Sequence, residues 1–324
     1  IDAGKELSSE INYSHLLKKY TSLDVVYVKK HSFLRGTKRF FEFRVIDSLE
    51  EITGAHYGID GFINLVTFST TLDSLTKLSL AQPENAFVVI KDLSSIELHI
   101  NKLLRYDLLI EKHLNDLNAI KLLKQEKAFS LDVLEKETSS ELFSDNNIWI
   151  FNGVQTSILE SKHLSMSLSD LCDRIYYKTP IFDNELINRN VLSSPIVTAK
   201  RMLLTNLFES DGLINLGYSE NKFPPDKAIY ISLLRETGLH RFDEKNNAFR
   251  LSEPDKTSVL YHLWEDCDDF LTSALSNKKS ITELYDKLKQ PPYKLKNGFL
   301  DFFIPIFLII KSEQYALFFR DESF

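Results

Sequence analysis

"GFINLVTFSTTLDSLTKLSLAQPENAFVVI", residues 61–90, changes its hydrophobic rhythm twice. "GFINLVTF" is an apolar run of strand length, "LDSLTKLSLA" repeats its leucines at helical spacing, and "NAFVVI" is a short β-type run again. A strand, a helix and a strand in that order predict two parallel strands in one sheet, with the crossover covering at least one face. Upstream, "DVVYVKK" and "FFEFRVI" are further β-type runs, so residues 24–90 read as a small α/β layer. Ligands often sit at the strand ends of such sheets, but no Gly-rich phosphate loop follows any of these runs.

Downstream, residues 84–152 hold neither Gly nor Pro. Ile96, Leu103, Ile110 and Leu117 recur at steps of seven, with Ile100 and Leu114 at the four-residue offset, which predicts a long helix with a coiled-coil-like seam. "LLKQEKAFSLDVLEKETSSELF" then folds back as a second arm, and "NIWIFNG" is a closing strand.

From Leu168 onward the pattern is mainly helical and repeats a theme. Ser194 is placed to cap a helix with Pro195 at its first position, running through "IVTAKRMLLTNLF". Pro224 and Pro225 start "DKAIYISLLRET", Gly238 stops it, and "LHRFDEKNNAFRL" reads as a hairpin with a polar turn. Two helices and a hairpin make a winged-helix candidate. In a second, truncated suite Ser280 caps "ITELYDKLK", Pro291 and Pro292 break it, and an apolar helix after Gly298 leads into the strand "YALFF". The expected architecture is mixed α+β. A small α/β domain spans residues 1–93, a helical hairpin arm with its closing strand 94–165, a winged-helix-like domain 166–278 and a second winged-helix-like unit 279–324.

The 324 residues, 43% hydrophobic and 26% charged, are those of a globular protein able to bury more than one core. A net charge of −7 argues against a surface coated for nucleic acid, although a local basic patch stays open. Cys172 and Cys267 are too few for a disulfide framework, and no secretory signal is evident, so the expected compartment is the cytoplasm. The most apolar run, "GFLDFFIPIFLII" at residues 298–310, is too short to span a membrane and reads as a buried core helix. The chain begins at Ile1 rather than Met, as expected of a piece of a longer protein or a processed one.

Candidate chemistry is sparse. "WEDCDDF" sets Asp266 and Asp268 in a D-x-D pattern that could hold a divalent cation. Within a helix whose core stripe is Leu260, Leu263, Cys267, Phe270, Leu271 and Ala274, those acids belong on the solvated side, and Cys267 is a small buried hydrophobe. The histidines, His15, His31, His56, His99, His113, His163, His240 and His262, show no local metal-binding spacing. "SLTK" at Ser74–Lys77 matches a hydrolase pattern by chance, without its partner motifs. No catalytic, cofactor-binding or metal residue is assigned, and none of ATP, Mg or another cofactor is expected in this chain.

The densest basic stretch is "RGTKRFFEFR", with Arg35, Lys38, Arg39 and Arg44 among phenylalanines. Such a stretch suits phosphate contacts and base stacking. The commoner reading is a strand whose Phe41 and Phe43 fill the core while Glu42 and Arg44 face water. Lys200, Arg201, Lys227, Arg235, His240 and Arg241 complete the candidate contacts to nucleic acid or a partner, although a DNA-reading helix would carry more basic residues than Lys227 and Arg235.

In "NELINRN", Asn184 and Asn188, and likewise Glu185 and Arg189, stand four apart, as on one face of a short helix. Either the amides order a neighbouring loop and form a structural corner, or they meet a partner; the corner is the expected role.

"LCDRIYYKTPIFDNELINRNVLSSPIVTAKRMLL", "KFPPDKAIYISLLRETGLHR" and "LYDKLKQPPYKLKNGFLDFFIPIFLI" with "YALFFRDESF" resemble the region downstream of the ATPase core in very large bacterial P-loop proteins of phage-defence systems, of the kind found in BREX loci. "RGTKRFFEFRVI" and "NAFVVI" are similar to the intermediate segment of the same family. The resemblance implies ATP hydrolysis, with Mg, in a domain upstream, coupled to recognition of phage or DNA. No Walker A loop is present, since "AGKELSS" lacks the glycine spacing and the following Ser or Thr. The expectation is therefore a non-catalytic coupling or docking segment of a bacterial antiviral ATPase, in contact with the rest of that ATPase, DNA or other defence proteins, and with no membrane. A free-standing winged-helix DNA-binding regulator and an enzyme of another type in the α/β layer are the alternatives.

Overall fold

The structure, a computed structural model, describes residues 11–52, 54, 58–319 and 322–323. "AGKELSS" and His56 lie outside them. In chain order the elements are α1 (Tyr13–Tyr20), β1 (Val25–Tyr27), α2 (Lys29–Arg35), β2 (Phe40–Ile46), β3 (Gly61–Val66), α3 (Leu72–Ala81), β4 (Asn85–Val89), α4 (Ser94–Lys112), α5 (Leu117–Glu141), β5 (Ile148–Phe151), β6 (Val154–Thr156) and α6 (Ser161–Ile175). There follow α7 (Ser194–Glu209), α8 (Pro225–Tyr230) with a π-helical extension (Ile231–Arg235), β7 (His240–Asp243), β8 (Ala248–Leu251), α9 (Tyr261–Ser273), α10 (Ile281–Leu288), α11 (Asn297–Ile310), β9 (Phe318–Phe319) and β10 (Glu322–Ser323). The fold is mixed α+β.

The described residues divide into two compact units, each drawn from two separate stretches of sequence: 11–29 with 39–171 form the first, and 30–38 with those from 172 onward the second.

In the first unit, β1 to β6 lie side by side in chain order. β2, β3 and β4 are parallel, and β1, β5 and β6 are antiparallel to their neighbours. Residues 61–90 thus form the expected parallel pair, with Phe62 opposite Asn85 and Val66 opposite Val89. Every residue of β3 is buried, as a central parallel strand requires. Leu75 of α3 joins Ile46, Val66, Phe87 and Ile150 in one core cluster. Ser74 of the "SLTK" match shares a hydrogen bond with the α3 cap Thr71, and Lys77 pairs with Asp73, which leaves both serving the helix.

α4 and α5 form the hairpin arm, and Asp116 caps α5 by accepting from Asn118 N and Ala119 N at 3.0 Å. The seam is shorter than the heptads predict. Ile96, Ile100 and Leu103 are buried, whereas Leu114 and Leu117 are exposed at the tip, where the chain reverses.

In the second unit a single core gathers Leu203 and Leu207 of α7, Ile229 and Tyr230 of α8, Leu263, Trp264 and Cys267 of α9, Leu284 and Leu288 of α10, and Phe299, Phe303 and Phe307 of α11. The Trp264 and Phe307 rings meet edge to face at 4.8 Å. The apolar run at 298–310 is a core helix, and no helix among the described residues is long and apolar enough to cross a membrane. β7 and β8 make the expected hairpin, with His240 opposite Leu251. Ser280 and Glu283 form a capping box on α10. The cap of α7 is Ser193 rather than Ser194, and its side chain makes no capping bond. The strand in "YALFF" shrinks to Phe318–Phe319, paired with Glu322–Ser323.

Candidate coupling site

The β1–β2 hairpin has an uncommon loop. Its base is closed in the first unit, where Tyr27 pairs with Phe40 and Val28 N donates to Arg39 O at 3.1 Å. There Arg39, fully buried, meets the equally buried Asp60 at 2.9 Å, and Asp60 Oδ2 also accepts from Phe40 N at 2.9 Å. Residues 30–38, which contain most of α2, belong instead to the second unit.

In the second unit this strap is held by polar groups. His31 Nδ1 lies 2.8 Å from Asp173 Oδ1 at the end of α6. Arg35 donates to Thr179 O at 2.9 Å, and Phe182 N donates to Arg35 O at 3.2 Å. Asn188 Nδ2 donates to both Gly36 O (2.9 Å) and Phe182 O (2.6 Å), while Lys38 Nζ reaches Glu185 Oε1 at 3.2 Å. Gly36 ends α2 at φ +67, the left-handed conformation that glycine enters without a side-chain clash. A Cβ there would collide with Phe182 O and sit 2.7 Å from the Asp183 Cα.

The opposing corner, residues 182–192, is not the short helix that its four-residue spacing predicts. It is a single turn in which the Asn184 carbonyl accepts from Ile187 N and Asn188 N, and the Asn184 side chain accepts from Leu186 N at 2.9 Å. Local side-chain capping of this kind competes with helix propagation. Asn184 Nδ2 donates to Ser232 Oγ at 2.7 Å. Glu185 and Arg189 form no carboxylate–guanidinium pair: Arg189 Nε donates to the Glu185 backbone carbonyl at 2.8 Å, and the Glu185 carboxylate is turned to Lys38. Gly298 of α11 seats the far side, donating to Arg189 O at 2.8 Å; a Cβ on it would lie 2.5 Å from Ile187 O.

Most of the candidate nucleic-acid contacts have internal partners. Arg39 is in the buried pair. Arg44 does not face open water: its guanidinium stacks on the Phe62 ring at 3.8 Å and donates to Asn64 and to Asn85 at 3.0 Å. Phe43 is only half-buried beside the fully buried Phe41. Lys227, buried at the start of α8, donates to the carbonyls of Ser219 (2.7 Å), Glu220 (3.3 Å) and Lys222 (3.0 Å). His240 is buried between Tyr230 Oη (2.9 Å) and Asp211 O (2.7 Å). The carbonyl must accept, so Nε2 carries the proton and Nδ1 accepts from the phenol. Lys200 pairs with Asp301 at 3.7 Å and Arg241 with Asp255 at 2.5 Å. Arg201 and Arg235 are exposed, the latter 3.5 Å from Asn215 Oδ1.

Of the acids of "WEDCDDF", Glu265 and Asp269 are exposed, and Asp266 and Asp268 are partly exposed and ion-paired. Asp266 accepts from Lys178 Nζ (2.7 Å) and Tyr293 Oη (2.5 Å), which hold its carboxyl below the usual range against the effect of burial. Asp268 pairs at 2.8 Å with Lys311, a buried lysine that also meets Glu253. Between these acids Cys267 is buried and its thiol is pushed up to about 12, so it stays protonated and inert. Among the described residues no group of three or more His, Cys, Asp or Glu side chains is placed to hold a metal ion.

Sequence reasoning missed Asp60, Asp173, Thr179 and Phe182 as partners of the basic stretch. Their spacing from it, from 20 to well over 100 residues, carries no local signal. Gly36 could have been found, because a glycine after a short run of helix-compatible residues is a helix-stop signal. No protein-family model, curated protein or solved structure matches the chain.

Proposed function

We propose that this chain is a non-catalytic coupling and docking segment of a large bacterial P-loop ATPase of the phage-defence, BREX-associated kind. The parent is supplied by the resemblance of its strings to the region downstream of such ATPase cores. The coupling role is supported by one observation: a loop whose two ends are fixed in the first unit has its middle built into the second. A segment threaded in this way links the two units through covalent chain.

Protein docking is favoured over DNA reading because most of the cations that would contact phosphate serve the fold, which leaves Arg201 and Arg235 exposed. Lys227, on the helix where a recognition element would lie, donates to carbonyls of the preceding loop, and the groove beside β8 is lined by Asp211 and Glu313 as well as Arg250. Phosphate contacts need several uncommitted cations to give appreciable affinity.

The test has two parts. The genomic reading frame that contains this sequence should encode a Walker A loop; a frame without one overturns the ATPase assignment. Fluorescence anisotropy with a labelled DNA duplex at low salt should show no binding by the isolated chain. Salt-sensitive binding lost in the Arg201→Ala, Arg235→Ala double variant would favour the DNA-binding regulator instead.

A further inference from the structure

We propose that residues 30–38 are a releasable strap, a latch that leaves and re-enters its polar seat in the second unit while the sheet and both cores stay folded. The inference rests on the strap's geometry and stands whether or not the parent protein is an ATPase.

The strap is fastened by unlike means at its base and along its length. At the base, the β1–β2 ladder and the buried Arg39–Asp60 pair fix both ends, so opening the loop does not require the strands to part. Along its length, the large apolar side chains contribute little. Phe33 is 85% exposed and Leu34 53% exposed, while the buried residues are His31, Ser32 and Thr37. The seat is therefore made chiefly of hydrogen bonds, beside carboxylate pairs of Asp173 with His31 and Arg35 and of Glu185 with Lys38, and the net contribution of each is small because water replaces it on release. Segments with few buried apolar contacts open locally at a fraction of the global unfolding free energy.

The released state has somewhere to go chemically. His31, Arg35 and Asp173 regain hydration, the Lys38–Glu185 pair, already largely in water, parts, and the Phe182 N–H loses its Arg35 acceptor. The seat is also narrow. Gly36 passes against the Phe182 carbonyl so closely that no side chain fits, so one position keys the closed state.

Hydrogen exchange by mass spectrometry on the full chain tests this directly, comparing the strap and residues 182–189 with β3 and β4. In the unaltered protein the strap and the Phe182 amide should exchange at least a hundredfold faster than the β3 amides. Gly36→Ala should raise strap exchange at least tenfold further and leave β3 and β4 unchanged. Asn188→Ala removes the hydrogen bonds to Gly36 O and Phe182 O without adding volume, and should raise strap exchange several-fold. Strap amides that exchange in step with β3, in the unaltered chain or in either variant, would overturn the latch, since the strap would then open only with the fold. Exchange unchanged in both variants would overturn it equally.

Discussion

The base of the β1–β2 hairpin and its tip carry the same chemistry, a cation facing a carboxylate, in opposite surroundings. Arg39 and Asp60 meet where both are fully buried, and Lys38, the preceding residue, meets Glu185 where both are largely in water. Removing two charges from water is costly, and a buried pair survives when its remaining hydrogen-bonding groups are also satisfied, as Asp60 does by accepting from Phe40 N. An exposed pair escapes that cost and gains little. The difference teaches that the basic stretch is two devices in succession. One is a locked base, and the other a strap positioned chiefly by hydrogen bonds to backbone groups, with the Asp173 carboxylate 2.8 Å from His31 and 4.0 Å from Arg35.

The largest expected effect lies at the base. Asp60→Ala leaves the Arg39 guanidinium buried without its carboxylate, and urea denaturation should show a loss of ~3–5 kcal/mol. If Asp60→Ala costs no more than Lys38→Ala, burial does not separate base from tip and the contrast fails.

How much of this was legible depends on whether the signal was local. The parallel pair at residues 61–90, the α4–α5 hairpin and the helix cap at Ser280 follow from spacing of a few residues, and they stand where the pattern puts them. The seam stopped before Leu114 and Leu117 because α4 ends at Lys112 and the chain reverses, which puts Leu114 in the turn and Leu117 at the start of α5. The turn at residues 184–189 defeated the helical reading because the Asn184 side chain caps Leu186 N locally while its amide and that of Asn188 bond to the distant Ser232 and Gly36. Above all, no periodicity marks residues 30–38 as leaving one unit for the other. That property belongs to the partners Asp173, Thr179 and Asn188, which are more than a hundred positions away.

His240 is an intermediate case, a buried group that avoids a buried charge by staying neutral. Burial pushes its imidazole below the ordinary 6.5, against the opposing pull of the Asp211 carbonyl and charge, while the Tyr230 phenol and the Phe249 ring also face it. Above 6.5 the ring is neutral in both the folded and the unfolded chain, so its contribution is constant. As pH falls below 6.5 the unfolded chain takes up a proton that the folded chain resists, and stability declines until the folded-state pKa is passed. Urea midpoints measured from pH 7.5 down to 5.5 should therefore fall, and His240→Gln should flatten that part of the profile. A His240→Gln profile that parallels the unaltered one would assign the slope to another group.

The smallest expected effect sharpens the comparison from the other end. Lys38 Nζ and Glu185 Oε1 are 3.2 Å apart, but their side chains are 52% and 68% exposed, so water and ions screen the pair. A double-mutant cycle through Lys38→Ala and Glu185→Ala should give a coupling of ~0.2–1 kcal/mol that shrinks as salt is raised. Since Asn188 and Arg35 bind the strap and corner backbone independently of this pair, the double variant should keep the strap seated, with its exchange within about twofold of the unaltered chain. A coupling well above ~1 kcal/mol, or one indifferent to salt, would mean that the pair is as effectively desolvated as Arg39 and Asp60. Charge rather than backbone hydrogen bonding would then hold the tip, and the two ends of the hairpin would be fastened alike.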